Sequence, residues 1–156
     1  MKKLFAAALA AVMIVMCFAG CGAKNVELSK VLSDINSKFP DATSGLTQLK
    51  EKSELNDYYE IEEDDVKQFA AEINTDASTA AVEIVLVEAV DKDAANDVKE
   101  CLDERFASIT SQYASYSAEQ LNMVKKCKVT TSGNFVVMIV ADGYDDIAKV
   151  VNDAIG

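Results

Sequence analysis

Two clusters of carboxylates are the first candidates for chemistry in this chain. Glu60, Glu62, Glu63, Asp64 and Asp65 form one, and Asp142, Asp145 and Asp146 around Gly143-Tyr144 form the other. Such spacing suits calcium or a basic peptide, because each is held by several oxygens at once. The first cluster lacks the Asp-x-Asp-x-Asp-Gly order of an EF-hand loop, so solvated surface is the better reading. The second stands at the start of a helical pattern, where acidic groups meet the positive end of the dipole. Capping and dipole complementarity are therefore preferred there to a metal.

Tyr113 and Tyr116, with Ser111, Ser115 and Ser117, are spaced to line a polar ligand rim. Tyrosines that close a core with wet hydroxyls are commoner, and that is the expectation. Arg105 borders an apolar stripe and has two options, a carboxylate partner inside a cleft or a stem laid on the core with its head in water. The second is expected. Cys101 and Cys127 are an even pair, and a disulfide between them would contribute about 3 kcal/mol. Buried free thiols are preferred, since a domain of this size builds a sufficient core alone.

Several chemistries are missing. The chain has no histidine, which removes Ser-His-Asp and Cys-His nucleophile systems, His-ligated zinc and a histidine pH switch. It has no tryptophan, and no Gly-x-Ser-x-Gly, Ser-x-x-Lys, phosphate-loop or dinucleotide pattern. An enzyme working with carboxylates or tyrosine alone is the least favoured class, and no cofactor is expected. A formal charge of −11 repels phosphate, so nucleic acid is not an expected partner.

The N-terminus supplies one reactive group with a clear context. Lys2 and Lys3 precede an uncharged apolar run from Leu4 to Ala19, followed by Gly20-Cys21. This is the order of a secretory signal. Sixteen residues of helix reach about 24 Å, short of the ~30 Å hydrocarbon core, so a permanent span is not expected. Phe18-Ala19-Gly20-Cys21 resembles the bacterial lipobox, with Phe in place of the more frequent Leu. A diacylglyceryl group needs a nucleophilic side chain at the interface, and several acyl chains at about 0.8 kcal/mol per buried methylene hold firmly. The expected organisation is a signal peptide over 1–20, a lipidated tether over 21–25 and one domain over 26–156. Loss of Lys2 and Lys3 takes the formal charge from −11 to −13.

Hydropathy patterning sets the elements that carry these groups. Leu28, Val31, Leu32, Ile35 and Phe39 predict a helix over 26–39 that ends at Pro40 with Asn25 as its cap. Residues 41–52 carry little pattern and read as a loop. A short helix is expected over 54–61. Alternation around Phe69, Ala71 and Ile73 predicts a strand over 66–74, and 81–87, apolar on both faces, predicts an interior strand reached by a turn at 76–79. Asp91 opens the longest helix, whose stripe runs Ala95, Val98, Leu102, Phe106, Ile109, Tyr113. Ser117 caps a short helix to Lys125, with Gln120 where a capping box needs it. Residues 127–131 and 135–140 form a hairpin around Ser132-Gly133-Asn134, and 144–155 forms the last helix. Two hairpins with long helices imply an α+β fold whose four-stranded, mainly antiparallel sheet is covered by amphipathic helices. The order after the first helix also allows two copies of one short helix, hairpin and long helix unit.

A family resemblance rests on Val82-Glu83-Ile84-Val85-Leu86-Val87 leading into Asp91, a helix with Glu104-Arg105, Tyr116 followed by Glu119, and Gly133-Asn134-Phe135-Val136. With the lipobox and small acidic domain, these resemble the bacterial lipoproteins of the domain of unknown function 4358 family over residues 26–155. Members often carry Tyr where Phe135 stands and Pro where Ser117 stands. The resemblance implies location and architecture and brings no functional residues. The leading expectation is a non-enzymatic binding or interaction module of the cell envelope, lipid-anchored at Cys21 on the extracytoplasmic face of the cell membrane. The alternative is a small-ligand or cation-binding accessory protein of a transporter.

Overall fold

The computed structural model describes residues 25–76 and 81–156. Cys21, the signal segment and most of the expected turn at 76–79 lie outside these residues. Five strands form one sheet, β1 (Thr47–Leu49), β2 (Val66–Ile73), β3 (Glu83–Ala89), β4 (Lys128–Ser132) and β5 (Phe135–Val140), in the order β1-β2-β3-β5-β4. Every neighbouring pair is antiparallel. Six helices accompany them: α1 (Leu28–Lys38), α2 (Pro40–Thr43), α3 (Lys52–Tyr59), α4 (Lys92–Tyr116), α5 (Ala118–Val124) and α6 (Tyr144–Ile155).

The α+β class and antiparallel sheet agree with the sequence, but the strand count does not. β1 lies within the segment read as a loop, and Leu49 is its one buried residue. It pairs with β2 from Thr47↔Ile73 to Leu49↔Ala71, so its partner, rather than an alternation of its own, makes it a strand.

Side-chain alternation then sorts the core into two layers. Val85, Val87, Val136 and Met138 pack with Leu102, Val98 and Ile109 of α4 and with Leu55 and Tyr59 of α3. Ile84, Leu86, Val137 and Ile139 pack on the other face with Leu32 and Ile35 of α1 and Ile147 and Val151 of α6. β3 is central and apolar on both faces because helices cover both, as its sequence predicts. The duplication reading fails on this arrangement. A rotation that exchanged the antiparallel β2–β3 and β4–β5 hairpins would leave α4 and α6 on one face, whereas they lie on opposite faces.

Helix ends differ in detail from the sequence reading. Glu27, not Asn25, occupies the N-cap of α1, and it makes no side-chain cap bond. The Leu28 amide instead donates to Gln68 Oε1 on β2 (3.2 Å), so a residue remote in sequence supplies the acceptor that capping requires. Pro40 does end α1, and it also starts α2 at the first helical position, where its missing N–H costs nothing. Asp91 accepts from the amides of Asp93 and Ala94 (both 2.9 Å) and caps α4. Ser117 accepts from the Gln120 amide (3.3 Å), while the Gln120 side chain accepts from the Ala81 amide (3.1 Å) and closes no box. In the β4–β5 turn Gly133 has φ +59° and Asn134 does not share the positive sign, as in a type II′ turn led by glycine.

Candidate functional site

The most densely functionalised group in the fold is built by β3, α3 and α4. Glu83 is the first residue of β3 and alternates with Ile84, which places its carboxylate on the α4 side of the sheet beside Val85's layer. It is only 4 % exposed. A buried carboxylate is costly unless paired, and α4 supplies the pair. Arg105 donates from Nε to Glu83 Oε2 (3.2 Å) and from Nη2 to Oε1, a two-pronged contact that matches the guanidinium fork to the carboxylate. Tyr59, the last residue of α3, donates its hydroxyl to the same Oε2 (3.2 Å). The Arg105 Cζ lies 5.9 Å from the centroid of the Tyr59 ring, within range of a cation–π contact.

Electrostatics follow from this packing. The hydrogen bond to Glu83 raises the Arg105 pKa further above its already high ordinary value. Burial, and then the negative charge of Glu83, push the Tyr59 phenol far above its usual range, so it stays protonated. Tyr113 shifts the same way for the same two reasons. In front of the cluster Tyr58, Glu60, Cys101, Glu104 and Ser108 join Tyr59 and Arg105 around a shallow cleft of about 210 Å³. Tyr58 is 45 % exposed there. The Cys101 thiol is pushed up, first by burial and then by Glu104, which leaves it a poor nucleophile.

Arg105 therefore corrects the expectation of a head in water: it takes the carboxylate option, its head committed to Glu83 while 35 % of its side chain stays open to solvent. Glu83 is a residue of this cluster that sequence pattern alone does not single out. Its signal was a lone carboxylate inside a strand apolar on both faces, which demands a partner if buried. Tyr113 is buried in the core.

The two cysteines are free thiols in the structure. Cys101 Sγ donates to the Glu60 carbonyl (3.5 Å), and the single Cys127 thiol proton has the carbonyls of Met123 (3.4 Å) and Ala141 (3.7 Å) as alternative acceptors. Of the acidic clusters, Glu60, Glu62, Glu63 and Asp64 are exposed around the end of α3 and a short 3-10 turn at Glu63–Asp65. Asp145 and Asp146 occupy the first turn of α6, where dipole complementarity applies, but no side chain caps that helix. A larger cleft of about 440 Å³ opens at the opposite end of the sheet from β3's exit and includes Asp41, Ser44, Asp76 and Asp142. Among the described residues no three His, Cys, Asp or Glu side chains are placed to hold a metal ion, and no helix is long and apolar enough to cross a membrane.

The sequence model of a family described as Domain of unknown function (DUF4358) matches residues 41–141. The chain belongs to the DUF4358 family. The match runs from α2 to the residue after β5, so the DUF4358 region holds the whole sheet, α3, α4 and α5, and with them Tyr59, Glu83, Arg105 and both described cysteines. It is narrower than the resemblance read from the sequence, because α1 and α6, the two long helices of the second face, fall outside it. No curated protein and no solved structure matches the DUF4358 chain.

Proposed function

We propose that this DUF4358 chain is a lipid-anchored protein of the extracytoplasmic membrane face, tethered at Cys21, whose α+β domain is a non-enzymatic binding module for another envelope component. The observation that carries the non-enzymatic part is the self-consumption of the Tyr59–Glu83–Arg105 cluster. Carboxylate, guanidinium and phenol are bonded to one another, and the phenol and the nearby thiol are both held protonated, so none is poised as base or nucleophile. The tether part is supported by Gly20-Cys21 standing only a few residues before the start of the fold.

Two measurements test the reading. Cys21→Ala should leave unprocessed precursor and abolish incorporation of a palmitate analogue; normal processing and labelling of that variant overturns the anchor. Crosslinking in cells should trap a discrete envelope partner. The second reading, a small-ligand accessory protein of a transporter, is favoured by the 440 Å³ cleft. A saturable thermal shift at micromolar metabolite or divalent cation selects it over the first.

A further inference from the structure

The chain enters the fold at one end of the sheet and is fastened there. Gln68, near the start of β2, donates from Nε2 to the Val26 carbonyl (2.7 Å) while its Oε1 accepts from the Leu28 amide. The backbone just before α1 is thus pinned beside the Val66 end of β2. Register brings Ala89 opposite Val66 and Phe135 opposite Glu88, and the Ala89 amide donates to the Asn134 carbonyl (2.8 Å). The start of β2, the exit of β3 and the β4–β5 turn therefore make up one end of the sheet. Val90 stands at this end, 48 % exposed, with its amide fixed on the Asp65 carbonyl (2.9 Å).

We infer that this end of the domain faces the lipid surface, with Val90 toward the bilayer interface and the aspartate-lined cleft turned away from it. The inference rests on the tether at Cys21 proposed above. Four residue steps separate Cys21 from Asn25, a reach of no more than about 15 Å. The eight residues of β2 alone span about 26 Å. Both ends carry mixed charge: the far end sets Asp41, Asp76, Asp142, Asp145 and Asp146 beside Lys38, Lys126 and Lys128, and the near end sets Lys30, Lys67 and Lys92 among Glu27, Glu63, Asp64, Asp65, Glu88 and Asp91. The near-end carboxylates make the short tether, rather than charge attraction, the source of the orientation and of residence at the membrane.

The chain has no tryptophan, so each introduced one is a unique probe. Full-length Val90→Trp, Lys92→Trp and Ser44→Trp are expressed with a palmitate analogue, purified from membranes and reconstituted into phosphatidylcholine vesicles containing a headgroup-nitroxide lipid. All three positions are exposed, and circular dichroism checks that each variant folds. Fluorescence at 90 and 92 should be quenched several-fold more than at 44. Quenching at 44 equal to or above that at 90 and 92, in palmitate-labelled protein, overturns the orientation and leaves the anchor intact. Absence of the palmitate label overturns the anchor and the inference with it.

Discussion

Glu83, the first residue of the central strand, and Arg105, midway along the longest helix, meet across the sheet–helix interface through both prongs of the guanidinium. The two ends of this pair differ in exposure, with 5 % of the Glu83 side chain and 35 % of the Arg105 side chain open to solvent. Removing the arginine strands a buried carboxylate, and removing both charges does not. Arg105→Ala should therefore cost about 3 kcal/mol, the low end for breaking a buried pair because the arginine is partly wet. Glu83→Leu combined with Arg105→Met should return most of that loss. Urea midpoints of the single and double variants measure it, and an Arg105→Ala effect within about 0.5 kcal/mol of wild type, as for an ordinary surface change, would show that the pair holds nothing.

Tyr59 ties the third element to the same carboxylate. Its raised pKa means that the folded state favours the protonated phenol, so its contribution is complete below the unfolded value of 10.0 and is lost as pH rises above it. Tyr59→Phe removes a hydrogen bond to a charged acceptor and should cost about 1.5–3 kcal/mol at neutral pH. The variant should also show a shallower loss of stability above pH 10, though not a flat one, because Tyr113 and Tyr144 are shifted in the same direction. An unchanged alkaline limb would remove Tyr59 from the account.

Elements whose own residues carry a period were legible before the fold was known. The stripe from Ala95 to Tyr113 and the two-faced apolar run of β3 state their environment in their composition, and both stand where the sequence puts them. β1 was not legible, because two of its three residues are exposed and only pairing with β2 distinguishes it from a loop. The α1 cap departs from the local pattern for a related reason. A local residue, Asn25, was the natural candidate, but the acceptor is Gln68, which is 40 residues distant. The Glu83–Arg105 contact spans 22 residues and needed the helix phase and strand face together. What escaped the sequence was in each case set by a partner remote along the chain.

On the other face, Glu88 accepts from Lys67 Nζ (2.7 Å) and Gln68 Nε2 (2.5 Å). Burial is the largest single influence and pushes its pKa up, but these hydrogen bonds and the lysine charge outweigh it and hold the carboxyl below its ordinary 4.5. A depressed folded value means stability that is present above about pH 4.5 and lost as pH falls through the folded pKa. Glu54, bonded by the Glu51 and Lys50 amides, and Glu27, bonded by Lys30, shift in the same direction. Glu88→Gln should flatten part of the acid limb in denaturation midpoints taken on either side of pH 4.5. A limb as steep as wild type would assign the acid sensitivity to the other carboxylates.

The thiols give a chemical readout of two environments. Cys127 is buried against Ala141 and Met123, whereas Cys101 is half-buried at the rim of the smaller cleft, and both are shifted toward the protonated form by burial first. In the native protein Cys101 should alkylate slowly and Cys127 only on unfolding. In denaturant without reductant both should be trapped, which mass spectrometry reads as two added groups on the domain. Failure to trap either one under those conditions would mean that they are bonded to each other.

Glu60 holds the final prediction, because it is the one non-glycine with positive φ among the described residues. It terminates α3 at φ 59°, ψ 24°, with its amide donating to the Asn56 carbonyl (2.9 Å). A side chain in this left-handed conformation costs about 1–2 kcal/mol, whereas glycine adopts it freely and loses roughly 0.4–1 kcal/mol of that gain through its more flexible unfolded state. Glu60→Gly should therefore stabilise the protein by about 0.5–1 kcal/mol, the usual yield of an improved helix end. Because Glu60 also belongs to the acidic run, Glu60→Gln separates the two causes by removing the charge while keeping the strained backbone. If the glutamine variant gains as much in its urea midpoint as the glycine variant, charge repulsion rather than backbone conformation is the source.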